Sequence, residues 1–152
     1  MAVAIVPTLP DDDSLVSGHP DRHVAIVMVD GTDIVADRAM AVGRLVTEEE
    51  PRFVHFDIDR EETERLMASW KRDEPELELE IEPAPIRELS DSIVSFVRHT
   101  RRGDPPLFST IVRGEVVPPW WQRFLHADEA REAEAALLHE PGTVFIAVPY
   151  HL

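Results

Sequence analysis

The sequence predicts an α/β fold: an open, mostly parallel five-stranded sheet with helices on both faces. Three observations predict it. Five short apolar or β-branched runs recur along the chain, at Val24–Val29, Phe53–Ile58, Leu77–Ile81, Leu107–Val112 and Thr143–Val148. Between them lie segments whose apolar residues repeat at helical spacing. The 152 residues suffice for one such domain and are too few for two ordinary ones. Alternation of this kind implies right-handed crossovers, and these produce a parallel sheet covered on both sides.

Residues 1–21 mix the apolar run Val3–Val6 with Pro7, Pro10, Asp11–Asp13, Gly18 and Pro20, and read as a lead-in or linker. The domain is expected over residues 22–152. In its first helix Val35, Ala39, Val42 and Val46 share a face; in the second the apolar side is Leu66, Met67 and Trp70. Asp59 is expected to cap that second helix, with Glu62 completing a capping-box pattern and Glu61–Arg65 adding an i,i+4 pair. In the third, Ile86, Leu89, Ile93, Phe96 and Val97 repeat at spacings of three and four. A fourth helical region is expected from Trp120 to Leu138, broken near His126 and Ala127.

Buried parallel strands read as continuous apolar runs, whereas one-sided strands alternate. Leu77, Leu79 and Ile81 alternate with Glu78, Glu80 and Glu82, so the third strand is expected at an edge, where its glutamates discourage pairing with another chain. The flavodoxin-like order 3-2-1-4-5 puts strand three at one edge and strand five at the other. Strand five carries no charged protection. Either it docks a second copy or another protein through Val144, Phe145 and Ile146, or Tyr150, His151 and Leu152 cover it.

Thirty acidic against fifteen basic residues give a net charge of -15, which opposes binding to nucleic acid or to anionic lipid surfaces. Lys71 is the only lysine. Either GC-rich coding or adaptation to a salty, halophilic cytoplasm accounts for that bias, since molar salt screens self-repulsion beyond roughly 3 Å. With no cysteine, disulfides, thiolate metal sites and cysteine nucleophiles are excluded together. No run approaches the ~18 apolar residues of a membrane span, and no secretion signal is indicated.

In this topology a ligand is expected in the crevice at the carboxyl ends of strands one and four, where the strand order reverses. Strand one ends in Asp30-Gly31-Thr32-Asp33 and strand four in Arg113-Gly114-Glu115. Gly31 permits a tight turn, Thr32 or Asp33 can cap the next helix, and Asp30 can accept from an adenine amino group or a ribose hydroxyl. The alternative is that Asp-Gly-Thr-Asp is turn and cap chemistry alone. A glycine-rich phosphate loop or Walker lysine is lacking, and Arg113 stands against Asp30, Asp33 and Glu115, which disfavours a tightly held triphosphate.

No nucleophile elbow occurs, and Ser90, Ser92, Ser95 and Ser109 lack a signature for a base or oxyanion hole, so catalytic residues are expected to be none. His19 and His23 have a tolerable metal spacing but no further ligands, so no metal site is expected. Asp57 and Asp59 could form a carboxylate pair, although capping explains Asp59 better. In Val116-Val-Pro-Pro-Trp120-Trp121 two prolines set the start of an amphipathic turn. Adjacent tryptophans on a helix diverge: either one fills the core while the other covers the crevice or meets a partner, or both are partly buried.

Trp120-Trp121, Leu125-His126, Ala135-Ala-Leu-Leu138, Pro141-Gly142, Val144 and the terminal Val148-Pro-Tyr-His-Leu152 resemble the cytosolic C-terminal domains of prokaryotic permeases of the amino acid–polyamine–organocation superfamily. Those domains are similar in fold to universal stress proteins. Val54-His55, Asp59, Glu64-Arg65-Leu66, Trp70, Pro85, Arg87 and Leu89 extend the resemblance upstream, and Val29–Asp33 looks like the nucleotide-contacting start of universal stress proteins. The family's amide pair after the histidine is Ala127-Asp128 here, and its basic helix positions are Glu134 and Glu140. The resemblance implies a non-catalytic cytoplasmic domain that regulates or assembles an amino acid or cation transporter. It also implies a transmembrane permease portion as partner and a place at the inner face of the membrane; the unprotected edge of strand five points to homodimerisation, and the crevice takes an adenine nucleotide or cyclic dinucleotide as its candidate ligand. The alternative is a free-standing nucleotide-binding protein of universal stress type.

Overall fold

A computed structural model describes residues 22–85, 88–101, 107–117 and 135–151. The strands are β1 (Arg22–Met28), β2 (Arg52–Asp57), β3 (Leu79–Pro83), β4 (Leu107–Val117) and β5 (Thr143–His151), and the helices are α1 (Ile34–Val46), α2 (Arg60–Asp73) and α3 (Leu89–Thr100). All neighbouring strands pair in parallel, in the order β3-β2-β1-β4-β5. The predicted α/β class, strand order and edge positions are therefore those of the molecule.

The alternation of side chains along each strand divides the core into two layers. On one face Ile26, Val54, Phe56, Ile111 and Phe145 pack with Ile93, Phe96 and Val97 of α3 and with Leu137 from helical residues 135–138. On the other, Val27, Val29, Phe53, Val112 and Val148 pack with Ala36, Ala39 and Met40 of α1 and with Leu66 and Trp70 of α2. Each fully buried side chain of this size stabilises the fold by about 1.5–3 kcal/mol. Trp70 also donates its indole N–H to the Leu77 carbonyl at 2.9 Å and tilts against Phe53 with ring centroids 5.7 Å apart.

Element limits and faces depart from the sequence reading where backbone hydrogen bonding or cross-layer contacts override the apolar pattern. β3 begins at Leu79 because Leu77 closes the turn after α2: its amide donates to the Glu74 carbonyl and its carbonyl takes the Trp70 indole. β4 continues past Val112 to Val117 and β5 past Val148 to His151, since pairing uses backbone groups and is indifferent to the charged or small side chains there. Pro149, opposite Glu115, lies on an edge strand, where a missing N–H is tolerated. Met67 is largely exposed, its predicted place on the inner face being taken by Thr63. On α1 the buried stripe is Ala36, Ala39, Met40 and Gly43, with Val42 and Val46 at its margin. Arg65 reaches only the Glu61 carbonyl, and the i,i+4 ion pair is Arg60–Glu64 at 3.0 Å.

The β3 edge is short, and Glu80 there is held by Arg52 of β2 through a 2.7 Å bond from Nε. That contact raises the Arg52 guanidinium above its ordinary range, and Arg52 also bonds the Thr100 hydroxyl and lies over the Phe96 ring. At the opposite end of the sheet Glu140, buried, takes a bidentate fork from Arg98 at 2.9–3.0 Å and lies 3.9 Å from Arg101. Gly142 beside them has φ 67°, a left-handed conformation that glycine adopts without strain.

Candidate functional site

The crevice is bounded by the loop after β1 on one side and by the extended ends of β4 and β5 on the other. β1 pairs with β4 as far as Met28 opposite Arg113, and beyond that level β4 and β5 pair only with each other up to Val117 opposite His151. They form a two-stranded ribbon that overshoots the sheet. Arg38 of α1 lies over the Tyr150 ring, 5.0 Å from its centroid, and ties the helix to the ribbon.

Asp33 is the N-cap of α1: its Oδ1 accepts from the Val35 and Ala36 amides at 3.0 and 3.1 Å. This satisfies two of the amides that a helix start leaves unpaired, and it places negative charge at the positive end of the helix. Of the two capping candidates, the structure uses Asp33. Gly31 does not have positive φ, so its turn makes no demand that only glycine meets. Thr32 is half-buried beside it, while Asp30 is exposed, with its Oδ1 4.0 Å from His55 Nδ1.

Gly114 has a different reason to be glycine. A Cβ there would stand 2.6 Å from Val35 Cγ1 and 2.8 Å from the Val35 carbonyl oxygen, so the first turn of α1 rests directly on β4. Alternation from Val112, which faces α1, puts Gly114 on the α1 face and half-buried Arg113 on the α3 face. The crevice thus gathers Asp30, Gly31, Thr32, Asp33 and Gly114, with Arg113 on the other side of the sheet. Of Glu115 the structure describes the backbone, paired opposite Pro149.

On β5, Phe145 is buried in the core, while Val144 and Ile146 are half-buried and Ile146 packs on the α1–α2 layer. What β5 presents at the sheet edge is its backbone. Trp120 and Trp121 lie outside the described residues.

The sequence reading missed a polar relay under the crevice floor. Buried His55 contacts the Val29 carbonyl through Nδ1 at 2.8 Å and Thr63 Oγ1 through Nε2 at 3.0 Å. Thr63 donates in turn to Asp57 Oδ1 at 2.8 Å, and Asp57 lies 4.0 Å from Arg60. The available signal was a histidine inside the otherwise apolar run of β2, two residues from an aspartate and so on the same side of the strand. Asp57 is engaged in this relay and Asp59 caps α2 at 2.9 and 3.1 Å, so the two do not act as a pair. Among the described residues no group of three or more His, Asp or Glu side chains is placed to hold a metal, and no helix is long and apolar enough to cross a membrane.

Sheet order and two helical layers define a doubly wound α/β domain. The family model of the KimA potassium transporter C-terminal domain matches residues 21–150. The chain belongs to that family of potassium transporter C-terminal domains. No curated protein matches it.

Proposed function

We propose that this domain is a non-catalytic regulatory and assembly unit on the cytoplasmic side of a potassium transporter, working with the transmembrane portion and as a homodimer through the β5 edge. The observation that carries this reading is the family match across residues 21–150, essentially the whole domain. The crevice supports a sensing role: exposed Asp30 can accept from an adenine amino group or ribose hydroxyl, beside an α1 start held by Asp33. An adenine nucleotide or a cyclic dinucleotide is the proposed ligand. Asp33 already fills two of the α1 amides that a phosphate would seek, which favours recognition of base and sugar over a triphosphate.

Thermal shift of the domain against ATP, AMP and cyclic dinucleotides, at low and molar salt, tests the sensing role. A ligand at one hundred times its Kd adds roughly 2.7 kcal/mol of stability, and Asp30→Ala should abolish the shift. Potassium uptake by the whole transporter with and without the domain tests the regulatory role, and sedimentation tests the dimer. Uptake unchanged by removing the domain and by every ligand would refute the regulatory reading.

A further inference from the structure

Helix α1 carries a second stripe that the fold does not use. Its buried residues are Ala36, Ala39, Met40 and Gly43. On the opposite side, at spacings of four, three and four, come Ile34, Arg38, Ala41 and Leu45. Ile34 is 50% exposed and Leu45 84%, the most exposed large apolar side chain among the described residues. Ala41 is exposed between them, and Arg38 is drawn aside over the Tyr150 ring. A surface helix ordinarily turns charge outward. This one, in a chain of net charge -15, turns out an isoleucine and a leucine.

The spacing of the stripe is the same read from either end, so what fits it is a second copy of itself run in the opposite direction. Half a turn about an axis midway between Arg38 and Ala41 lays Ile34 on the partner's Leu45 and Ala41 beside the partner's Arg38. Small Ala41, next to that axis, allows the interaxial approach of about 8–10 Å found between packed helices. The flanks match as well. Asp37 and Arg44, both exposed, lie on one edge of the stripe, and the rotation sets that edge against the same edge of the partner. Asp37 then stands beside the partner's Arg44, offset by about 3 Å along the axis, and Arg44 beside the partner's Asp37. The existing pair of Arg44 with Glu50, at 3.3 Å, is exposed on both sides and of the kind worth little, so it does not compete strongly. Antiparallel helices also bring opposite dipole ends together. Against these stands the acidic run Glu48–Glu50, which the arrangement carries toward the partner's Asp33. A single pair of 13-residue helices also buries less than the ~1,000 Å² of a standing interface, so the contact is a weak one.

We propose that the outer face of α1 is a self-association surface, on which a second copy docks its own α1 antiparallel through Ile34, Ala41 and Leu45. It lies outside the helical layer and makes no use of the β5 edge, so the two contacts stand or fall separately. Copies tethered in one membrane meet at high local concentration, where even a weak contact forms. That consequence rests on the transporter reading; the pairing itself does not.

The chain has no cysteine, so introduced thiols report the contact directly. Residues 34 and 45 of one helix are about 16 Å apart, beyond disulfide reach within a copy. Under mild oxidation, the full chain carrying Ile34→Cys and Leu45→Cys together should cross-link between copies. Neither single variant should, because the antiparallel pair separates like positions by that same distance. Adding Asp37→Arg to the double-cysteine chain, or adding Arg44→Asp, should each abolish the cross-link, and an equal mixture of the two should restore it. All four positions are exposed, so none of these changes touches the core. No cross-link in the double-cysteine chain, equal cross-linking of a single variant, or indifference to the charge reversals would overturn the proposal. Pairing through β5 alone leaves residues 34 and 45 unlinked, which distinguishes failure here from failure of the β5 dimer.

Discussion

Adding one methyl group at Gly114 tests how closely α1 is seated on the sheet. The new Cβ would lie 2.6 Å from Val35 Cγ1, 2.8 Å from the Val35 carbonyl oxygen and 3.3 Å from its carbonyl carbon. Comfortable carbon contacts begin near ~3.5 Å, so either the first turn of α1 or β4 must retreat by several tenths of an ångström. The valine side chain is stiff at χ1, and the carbonyl oxygen belongs to the helix backbone, so neither neighbour yields without moving the turn that Asp33 caps. Overpacking of this kind costs about 1–3 kcal/mol. For a chain of this size that is roughly 2–12 °C in Tm, at about 2–4 °C per kcal/mol. Urea and thermal unfolding of Gly114→Ala followed by circular dichroism measure it. Gly31→Ala is the control, since the nearest atom to its Cβ would be 3.8 Å away, and it should change stability by less than about 0.5 kcal/mol. Adding Val35→Ala to Gly114→Ala should recover only part of the loss, because the carbonyl clash remains. A Gly114→Ala protein as stable as its parent would refute the close-seating argument.

His23, bonded to Thr110 Oγ1 at 2.7 Å, is held below its ordinary value of 6.5 chiefly by burial, partly offset by a backbone hydrogen bond to Val46. The unfolded chain therefore takes up that proton first, so this contribution to stability is complete above pH 6.5 and declines as pH falls below it; His23→Gln should flatten the slope of urea midpoint against pH in that window. Arg98→Met should lower Tm more than Glu140→Gln, because the first strands a buried carboxylate with Arg101 alone, whereas the second frees a solvent-accessible guanidinium. Trp70→Ala should cost about 3–5 kcal/mol, and Trp70→Phe about 0.5–1.5 kcal/mol for the hydrogen bond to Leu77, both read from chemical denaturation. With a net charge of -15, Tm should rise as KCl is raised toward molar concentration, and a flat response would remove self-repulsion as a factor.

The architecture was legible in the chain because β1 and β2 are buried on both faces and read as unbroken apolar runs, while Glu78, Glu80 and Glu82 mark the edge. The ends of β4 and β5 were not legible: Arg113-Gly114-Glu115 and Pro149 interrupt the apolar pattern, yet the pairing there is carried by backbone atoms. Asp33 and Asp59 announced their caps, since an aspartate just ahead of a helical period has few other uses. The seat of Gly114 could not be seen, because it depends on a contact between elements distant in sequence. The relay of His55 had only one local sign, and Thr63, its middle member, sits at a position that looks like ordinary helix surface.

Gly43 repeats near the far end of α1 what Gly114 does near its start: a Cβ there would run into the Val27 side chain, with Pro51 close behind. A helix of 13 residues supported at two such bearings, roughly 20 Å from end to end, has no slack with which to absorb a push from below. A larger residue at either seat would have to lift that end of α1 from the sheet or displace the strand beneath it.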